Sequence, residues 1–183
     1  MCAINRKLIV ALLVSLGLLA VGCRQGRERV KVTTAPRKEA RSDSTLILPD
    51  FKLSLMGGSE VSVRTEVSRN KLTILDFWAS WCGPCREEMP EMVALFNKYH
   101  GKGLGIIGLS LDEDEGAWKA AVSNLHMSWI QSSDLKGWDS YPAQLFGIES
   151  IPYTIVVSQD GEILETGLRG EALQDYVKNY FNE

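Results

Sequence analysis

The sequence predicts an α/β fold in which a central mixed β-sheet is flanked by helices. Two apolar segments, 72–78 and 104–111, have the length and the β-branched composition of strands that are buried on both faces. The segment 86–99 lies between them and carries apolar residues at helical spacing, so we expect a strand-helix-strand unit. A third apolar segment, 151–157, is followed by an Asp-Gly turn and a return strand at 162–166, which adds an antiparallel pair to the sheet.

Shorter patterns predict the other elements. Apolar and polar residues alternate on either side of Gly57 and Gly58, which predicts an N-terminal hairpin over 51–63. The polar residues 64–71 predict a plain connection to the first buried strand. The acidic run 112–115 offers an N-cap to the helix that follows it. The predicted elements beyond that run are a helix at 117–125, a short strand at 129–130, a helix at 140–146 that ends at Gly147, and an amphipathic helix at 171–181.

Composition and charge narrow the class of protein. The chain has 183 residues and is 45% hydrophobic, which is enough for one domain with a sizeable core. Its net charge of -3 conceals an asymmetry, because the residues from Leu46 onward contain 20 acidic and 11 basic side chains. A negatively charged domain does not offer the basic face that binds nucleic acid. We therefore expect no nucleic-acid partner, and we expect the domain to be a monomer.

The N-terminus has the features of an export signal. Arg6 and Lys7 precede an apolar run at 8–21, which is shorter than the roughly 20 residues that a membrane-spanning helix needs. The end of the run looks like a bacterial lipobox and predicts lipidation of Cys23. Lipoboxes usually have leucine where this chain has Ala20, and the alternative is an ordinary signal peptide or an uncleaved anchor. The predicted organisation is a lipoprotein-type signal peptide at 1–22, a lipid-anchored flexible linker at 23–45 and a folded domain at 46–183.

Residues 81–85 (Trp-Cys-Gly-Pro-Cys) contain the chemistry of the chain. Two cysteines separated by two residues can close a disulfide, open to a dithiol and so carry two electrons. They lie where the first buried strand gives way to a helix, and the backbone N–H groups of a first helical turn stabilise a thiolate. Cys82 is therefore predicted to be the nucleophile, and Cys85, one turn further on, the resolving thiol. Gly83 lets another backbone approach the sulfur, and Pro84 fits the first turn, where its missing N–H is no loss.

The remaining cysteines and histidines do not suggest a metal site. Cys2 falls in the predicted signal peptide and Cys23 would be lipidated, which leaves the close pair as the free thiols of the mature chain. His100 and His126 show no ligand spacing to that pair, so each is interpreted as a surface or packing residue. We expect neither a metal nor another cofactor.

The segment 76–85 (Asp-Phe-Trp-Ala-Ser-Trp-Cys-Gly-Pro-Cys) resembles the active-site segment of thioredoxins. The residues after it, 86–90 (Arg-Glu-Glu-Met-Pro), narrow the resemblance to the exported, membrane-tethered TlpA/ResA-like family. The similarity extends over about 46–181 and implies a thioredoxin fold, and the stretch 110–147 resembles the central helical insertion of this family. The activity that the resemblance implies is thiol-disulfide exchange.

The resemblance also assigns a role to Ile151 and Pro152. In the family, the proline that opens the third strand follows a cis peptide bond and packs against the cysteine pair. The backbone of Ile151 would therefore hold an extended client segment beside Cys82. A proline at the start of a strand can also be a simple edge feature. The expected client contacts are Trp81, Gly83, Pro84, Ile151 and Pro152.

The five tryptophans fall into two groups. Trp81 precedes the nucleophile, and we expect it to shield one side of the cysteine pair and to contact the client rather than to pack in the core. The other four are expected to be core or packing residues: Trp78, Trp118, Trp129 and Trp138.

Asp76 interrupts an otherwise apolar strand. Burying an isolated carboxylate is costly, so such a residue is usually outward-facing or paired. The matching aspartate of thioredoxins is buried behind the second cysteine, where desolvation raises its pKa and lets it exchange protons near neutral pH. Much of the tethered family has asparagine at this position, whereas this chain keeps the carboxyl group. The resemblance therefore implies that Asp76 relays a proton for Cys85.

The resemblance implies a mechanism and a direction of electron transfer between the protein and its client. The Cys82 thiolate attacks a client disulfide, and Cys85, deprotonated with help from Asp76, then displaces the reduced client. A Gly-Pro dipeptide between the cysteines is the thioredoxin type, with a potential of about -270 mV, which favours a protein-disulfide reductase. On the periplasm-facing side of a bacterial cell envelope, a reductase requires a transmembrane electron donor. The expected clients are exported proteins with disulfides, and cytochrome c maturation is one such setting.

Two other functions remain as alternatives. Peroxiredoxins share the fold, but they need a serine or threonine three residues before the reactive cysteine and a proline seven residues before it. This chain has Ala79 and Leu75 at those positions, which disfavours peroxide reduction. A non-redox peptide-binding module would keep the cysteines as a passive disulfide, and it would tolerate Cys82→Ser and Cys85→Ser.

Overall fold

The fold is taken from a computed structural model, which describes residues 46–182. The predicted signal peptide, the predicted linker and the predicted lipidation site Cys23 lie outside the described residues. Within the described part, no helix combines the length and the apolar composition needed to cross a membrane.

The described residues form a five-stranded mixed sheet, a separate two-stranded sheet and helices that flank the main sheet. The strands are β1 (Lys52–Ser54), β2 (Glu60–Ser62), β3 (Leu72–Trp78), β4 (Leu104–Ser110), β5 (Ile130–Ser132), β6 (Tyr153–Ser158) and β7 (Ile163–Thr166). The helices are α1 (Val63–Val67), α2 (Gly83–Tyr99), α3 (Glu115–Asn124), α4 (Tyr141–Phe146) and α5 (Gly170–Tyr180).

The main sheet has the strand order β5-β4-β3-β6-β7. β3 is the central strand, because it pairs in parallel with β4 on one side and antiparallel with β6 on the other. β5 extends the parallel side, and β7 extends the antiparallel side. The mixed sheet is thus confirmed, with β3-α2-β4 as its strand-helix-strand unit. Gly161, with a φ of 85°, makes the turn of the β6–β7 hairpin.

β3 and β4 form the centre of the hydrophobic core, since every residue of both strands is buried. This is the burial expected of central strands that are covered on both faces. α2 begins directly after the loop that follows β3 and contributes one apolar face to the same core. The buried residues of that face are Cys85, Met89, Met92, Leu95, Phe96 and Tyr99.

The stretch 110–147, where the sequence places the helical insertion, contains α3, β5 and α4. α3 begins where the acidic run predicts a cap, because the carboxylate of Asp114 accepts a hydrogen bond from the backbone N–H of Ala117 at 2.7 Å. Trp118 and Trp129 are buried in this part of the chain, as predicted, and Trp78 is buried in β3.

The prediction of a plain connection at 64–71 is wrong, because α1 begins at Val63. The hydroxyl of Ser62 accepts a hydrogen bond from the backbone N–H of Thr65 at 3.2 Å and so caps this helix. Val63 and Val67, four residues apart, are both buried in the core. A helix of about one turn is too short to show a periodic pattern, and the alternation of apolar residues assigns Val63 to the hairpin instead.

Candidate active site

The site lies where β3 ends and α2 begins. β3 ends at Trp78, and the loop 79–81 leads to Cys82, which is the N-cap residue of α2. β6 runs antiparallel to β3, with Tyr153 opposite Phe77. The residues just before β6 therefore lie at the same end of the sheet as the loop that leads to Cys82.

Ile151 and Pro152 lie at this edge. They precede β6 directly, and the peptide bond between them is cis, as the resemblance implies. Pro152 is buried, whereas Ile151 is partly exposed and packs against the core. The backbone of Ile151 is thus at the end of the sheet where the resemblance implies an extended client segment.

Cys82 and Cys85 form a disulfide, with 2.01 Å between the sulfur atoms. The exposed fraction is 6% for Cys82 and 1% for Cys85, while Gly83 and Pro84 are exposed on the first turn of α2. The Cys82 sulfur accepts a hydrogen bond from the backbone N–H of Cys85 at 3.2 Å. A first helical turn leaves this N–H without an intrahelical partner, so it stabilises negative charge on Cys82 when the disulfide opens.

The carboxyl group of Asp76 is buried within the central strand. Side chains alternate along a strand, and the ring of the next residue, Phe77, contacts Phe146 of α4 at 6.0 Å between centroids, so Asp76 faces the opposite side of the sheet. Burial raises the pKa of Asp76 to about 7, and the negative charge of Glu88 adds to the rise. Its Oδ2 atom has no hydrogen-bond partner in the described part of the chain. A carboxyl group with this pKa can accept and return a proton near neutral pH.

Two further charged residues reach this region, and the sequence patterns do not identify them. Glu88 lies on α2 three residues after Cys85, so both side chains project from one face of the helix. Its carboxylate pairs with Arg169, whose Nε donates a hydrogen bond at 3.0 Å. The helical spacing from Cys85 is a signal that could have found Glu88. Arg169 has no such signal, because 81 positions separate it from its partner.

The loop before Cys82 is held by Asp112, whose role the sequence patterns also miss. Its carboxylate is buried just beyond β4, where it accepts hydrogen bonds from the backbone N–H of Ser80 at 3.0 Å and from the Ser80 hydroxyl at 2.5 Å. The hydroxyl of Ser110 donates to the same carboxylate at 2.7 Å. Hydrogen bonds to an ionised group are stronger than those between neutral groups, so this cluster fixes the loop two residues before Cys82.

Trp81, the last residue of the loop that leads to Cys82, forms an exposed aromatic pair with Trp138. Trp81 is 55% exposed, as expected for a client contact, and its ring centroid lies 6.3 Å from that of Trp138. Of the two roles expected for Trp138, core or packing residue, the structure excludes the core, because 41% of Trp138 is exposed. Trp138 lies in a short 3₁₀ turn, Gly137–Asp139, at the protein surface. Its ring therefore packs on Trp81 and not in the core.

The histidines lie apart from this chemistry. The ring of His100 packs on Phe96 at 4.5 Å between centroids, and His126 is exposed. Across residues 46–182, no three His, Cys, Asp or Glu side chains are grouped so that they could hold a metal ion.

The geometry provides the parts of a thiol-disulfide exchange. It places the Cys82 sulfur at a helix N-terminus, the Cys85 sulfur bonded to it, and a buried carboxyl group with a pKa near neutrality in the adjoining strand. It also brings Trp81 and Pro152 to the same edge of the sheet. Of the predicted site residues, Cys23 lies outside the described part.

Comparisons with known proteins give one family. The family model for Redoxin matches residues 42–182. A thiol-disulfide oxidoreductase ResA of Bacillus thuringiensis subsp. konkukian is 27% identical over 146 residues, which cover 80% of this chain and 81% of that protein. The ResA of Oceanobacillus iheyensis is 30% identical over 137 residues, which cover 74% of this chain and 69% of that protein. A solved structure of a thiol-disulfide oxidoreductase from Bacteroides fragilis is 35% identical, has a TM-score of 0.68 and covers 74% of this chain and 99% of that chain.

These similarities agree with the geometry of the site. The matched residues 42–182 include the cysteine pair, Asp76 and the proline before β6. The mixed sheet flanked by helices is the thioredoxin-like fold of the structural relatives. The chain therefore belongs to the Redoxin family, and it is a thioredoxin-like thiol-disulfide oxidoreductase of the TlpA/ResA-like branch.

Proposed function

We propose that this protein reduces disulfides of exported client proteins, with Cys82 as the attacking thiolate and Cys85 as the resolving thiol. The observation that carries the proposal is the position of the pair, which lies at the N-terminus of α2 next to a strand with a buried carboxyl group of pKa about 7. The helix terminus supports a reactive thiolate on Cys82. The carboxyl group of Asp76 supports deprotonation of Cys85, which the second step of the reaction needs.

The proposed reaction moves two electrons from the protein to the client. The Cys82 thiolate attacks one sulfur of the client disulfide, whose S–S bond breaks, and the other client sulfur leaves as a thiolate. Asp76 accepts the proton of Cys85, and the Cys85 thiolate then attacks the Cys82 sulfur. This attack forms the Cys82–Cys85 disulfide and releases the second client sulfur. Asp76 returns its proton to solvent or to the leaving thiolate, and the client ends as a dithiol.

Whether electrons pass from the protein to the client depends on how stable the protein's own thiolate is, because a less stable thiolate makes a stronger reductant. One backbone N–H donates to the Cys82 sulfur and favours the thiolate. In the proposed arrangement, an ionised Asp76 in the strand that leads to the pair opposes a further negative charge on the cysteines. Together with the Gly83-Pro84 dipeptide, this supports a potential near the thioredoxin value of about -270 mV rather than the value of about -120 mV of a strong oxidant.

The proposed setting is the periplasm-facing side of a bacterial cell envelope. The export-type N-terminus supports removal of a signal peptide at 1–22 and a lipid anchor on Cys23, with 23–45 as the tether. The compartment is oxidising, so the Cys82–Cys85 disulfide has to be reduced again in each cycle. The proposal therefore includes a transmembrane electron donor. Cytochrome c maturation, which needs exported cysteines in reduced form, is the setting we propose for its clients.

The reduction potential of the pair tests this function. The protein is equilibrated in buffers of fixed ratios of reduced to oxidised dithiothreitol, and the fraction of free thiol is read by alkylation. We expect a potential near about -270 mV. A potential above about -180 mV, in the range of isomerases and oxidants, would contradict a reductase and would leave oxidation or reshuffling of disulfides as the function. The Cys82→Ser variant, which cannot form the pair, is the blank for the alkylation.

A further inference from the structure

A groove of about 440 Å³ opens beside the nucleophile. It lies between the loop 79–81, the start of α3 and the 3₁₀ turn at Gly137–Asp139. The two exposed indoles line it together with three acidic residues, the buried Asp112 and the exposed Glu113 and Asp114, and no lysine, arginine or histidine is among its lining residues. The groove is therefore both aromatic and negatively charged.

The indoles of Trp81 and Trp138 give the groove an apolar wall. Each is about half exposed, and they lie side by side instead of being scattered over the surface. Large aromatic side chains that are exposed together mark a contact surface, and tryptophan is enriched in such surfaces. The face of an indole also attracts a cation that comes within about 6 Å of the ring.

Glu113 places a negative charge against the same turn. A Cβ atom at Gly137 would lie 2.4 Å from its Oε1 atom, so the glycine leaves the room that the carboxylate occupies. The φ of 58° at Gly137 is a second reason for glycine at this position. No ion pair with a described residue neutralises Glu113. Asp114 adds a second charge, although its carboxylate also caps α3.

We infer that this groove selects clients that carry an arginine or lysine close to the reducible cysteine. The inference rests on the proposed function and names the class of client. The aliphatic stem of the basic residue would pack on Trp81 and Trp138 while its charged end faces Glu113, and the client cysteine would meet Cys82. An acidic residue at the same place would face two carboxylates and would be repelled.

The charge of the whole domain is a competing cause of such a preference. From Leu46 onward, acidic residues outnumber basic ones by 20 to 11, so any basic client is attracted at long range. A groove acts locally, so removal of a groove charge should matter more than removal of a charge elsewhere. Asp175 is the matched control, because it is exposed on α5 and does not line the groove.

The test uses the full chain in its reduced form and two peptides that differ only in charge. Each peptide has one cysteine in a disulfide with thionitrobenzoate, flanked on both sides by arginine in one peptide and by glutamate in the other. Attack by Cys82 on the peptide sulfur breaks this S–S bond and releases the coloured thionitrobenzoate anion. Cys85 then displaces the peptide as a thiol. Each rate constant is divided by that for dithiothreitol with the same peptide, which removes differences in intrinsic reactivity.

We expect the normalised rate constant of the arginine peptide to exceed that of the glutamate peptide by about tenfold at low salt, and the excess to shrink as salt screens the charges. Glu113→Gln should lower this ratio by about threefold, and Asp175→Asn should leave it unchanged. Trp138→Ala should lower the ratio as well, whereas Trp138→Phe, which keeps a ring, should retain most of it.

Three results would overturn the inference. A ratio of the two normalised rate constants near one would show that the groove does not select basic clients, and so would an equal fall of this ratio in Glu113→Gln and Asp175→Asn. In either case, reduction of both peptides would leave the proposed function intact. Reduction of neither peptide would overturn the proposed function together with the inference.

Discussion

Cys82→Ser removes disulfide reduction by this protein, with an expected loss of at least about 10³-fold in turnover. The thiolate is the nucleophile, and a serine hydroxyl neither ionises near neutral pH nor forms a disulfide. The fold should survive, because Cys82 is the N-cap residue of α2 and serine is a favoured N-cap. The measurement is the rate at which the variant reduces insulin with dithiothreitol as the electron source, after subtraction of the rate without protein.

Cys85→Ser is the matched control for this prediction. Its first step is intact, so Cys82 should still attack one client disulfide for each molecule of protein. Release by the internal route is lost, so a reduced Cys85→Ser protein without dithiothreitol should stop after that first attack. Wild-type turnover in Cys82→Ser would contradict the assignment of the nucleophile and would favour the reading of the cysteines as a passive disulfide.

Asp76→Asn slows the second step, in which Cys85 displaces the client. Asparagine has a similar size but accepts no proton, so the expected loss is about tenfold to about 10²-fold, at or below the usual range for general-base catalysis. In the wild type, the rate of this step should rise with pH and reach half its maximum near pH 7, where Asp76 ionises. The variant should lack that inflection. Single-turnover rates from pH 5 to pH 9 check this, and an unchanged inflection in Asp76→Asn would contradict a proton relay.

The same substitution changes stability in a pH-dependent way. The pKa of Asp76 rises from its ordinary value of 3.8 to about 7 in the folded protein, because burial and Glu88 penalise the charged form. The folded state therefore binds more protons than the unfolded state between these two values, and wild-type stability falls as pH rises through that window. A difference of about three pKa units changes the free energy of unfolding by at most about 4 kcal/mol, and the wild type has lost all of this contribution above pH 7. Asp76→Asn should therefore be the more stable protein at pH 8, with a smaller advantage at pH 4.5. Urea unfolding of the oxidised proteins measures both, and an advantage independent of pH would contradict a buried, titrating carboxyl group.

The central strands and α2 are predictable from sequence because their patterns are long. β3 and β4 each have seven consecutive buried residues, so each appears in the sequence as a long, mostly apolar segment. Turns and helix caps do not produce such a segment. α1 is too short to produce such a pattern, and in the sequence its first buried valine fits the end of a hairpin as well as the start of a helix. Trp138 is the opposite case, because a large aromatic residue suggests burial and only the folded chain shows that its partner is another exposed ring.

The site is predictable where its residues are neighbours in the chain. The cysteine pair and its helix terminus follow from ten consecutive residues, and the resemblance adds the buried Asp76 and the cis bond before Pro152. The support of the loop is different, since Asp112 reaches Ser80 across 32 positions. That contact depends on the parallel register of β3 and β4, which sets Trp78 opposite Ser110. Such a register is a property of the assembled sheet, so no local pattern reports it.

Covalent capture tests most directly whether Cys82 and Cys85 exchange electrons with protein disulfides. Reduced Cys85→Ser protein is mixed with insulin, quenched with acid and examined by non-reducing electrophoresis and mass spectrometry. We expect one insulin chain joined to the protein through a disulfide that maps to Cys82 and is released by dithiothreitol, and no such product from Cys82→Ser. Absence of the product from Cys85→Ser, or equal amounts from both variants, would contradict the roles assigned to the two cysteines.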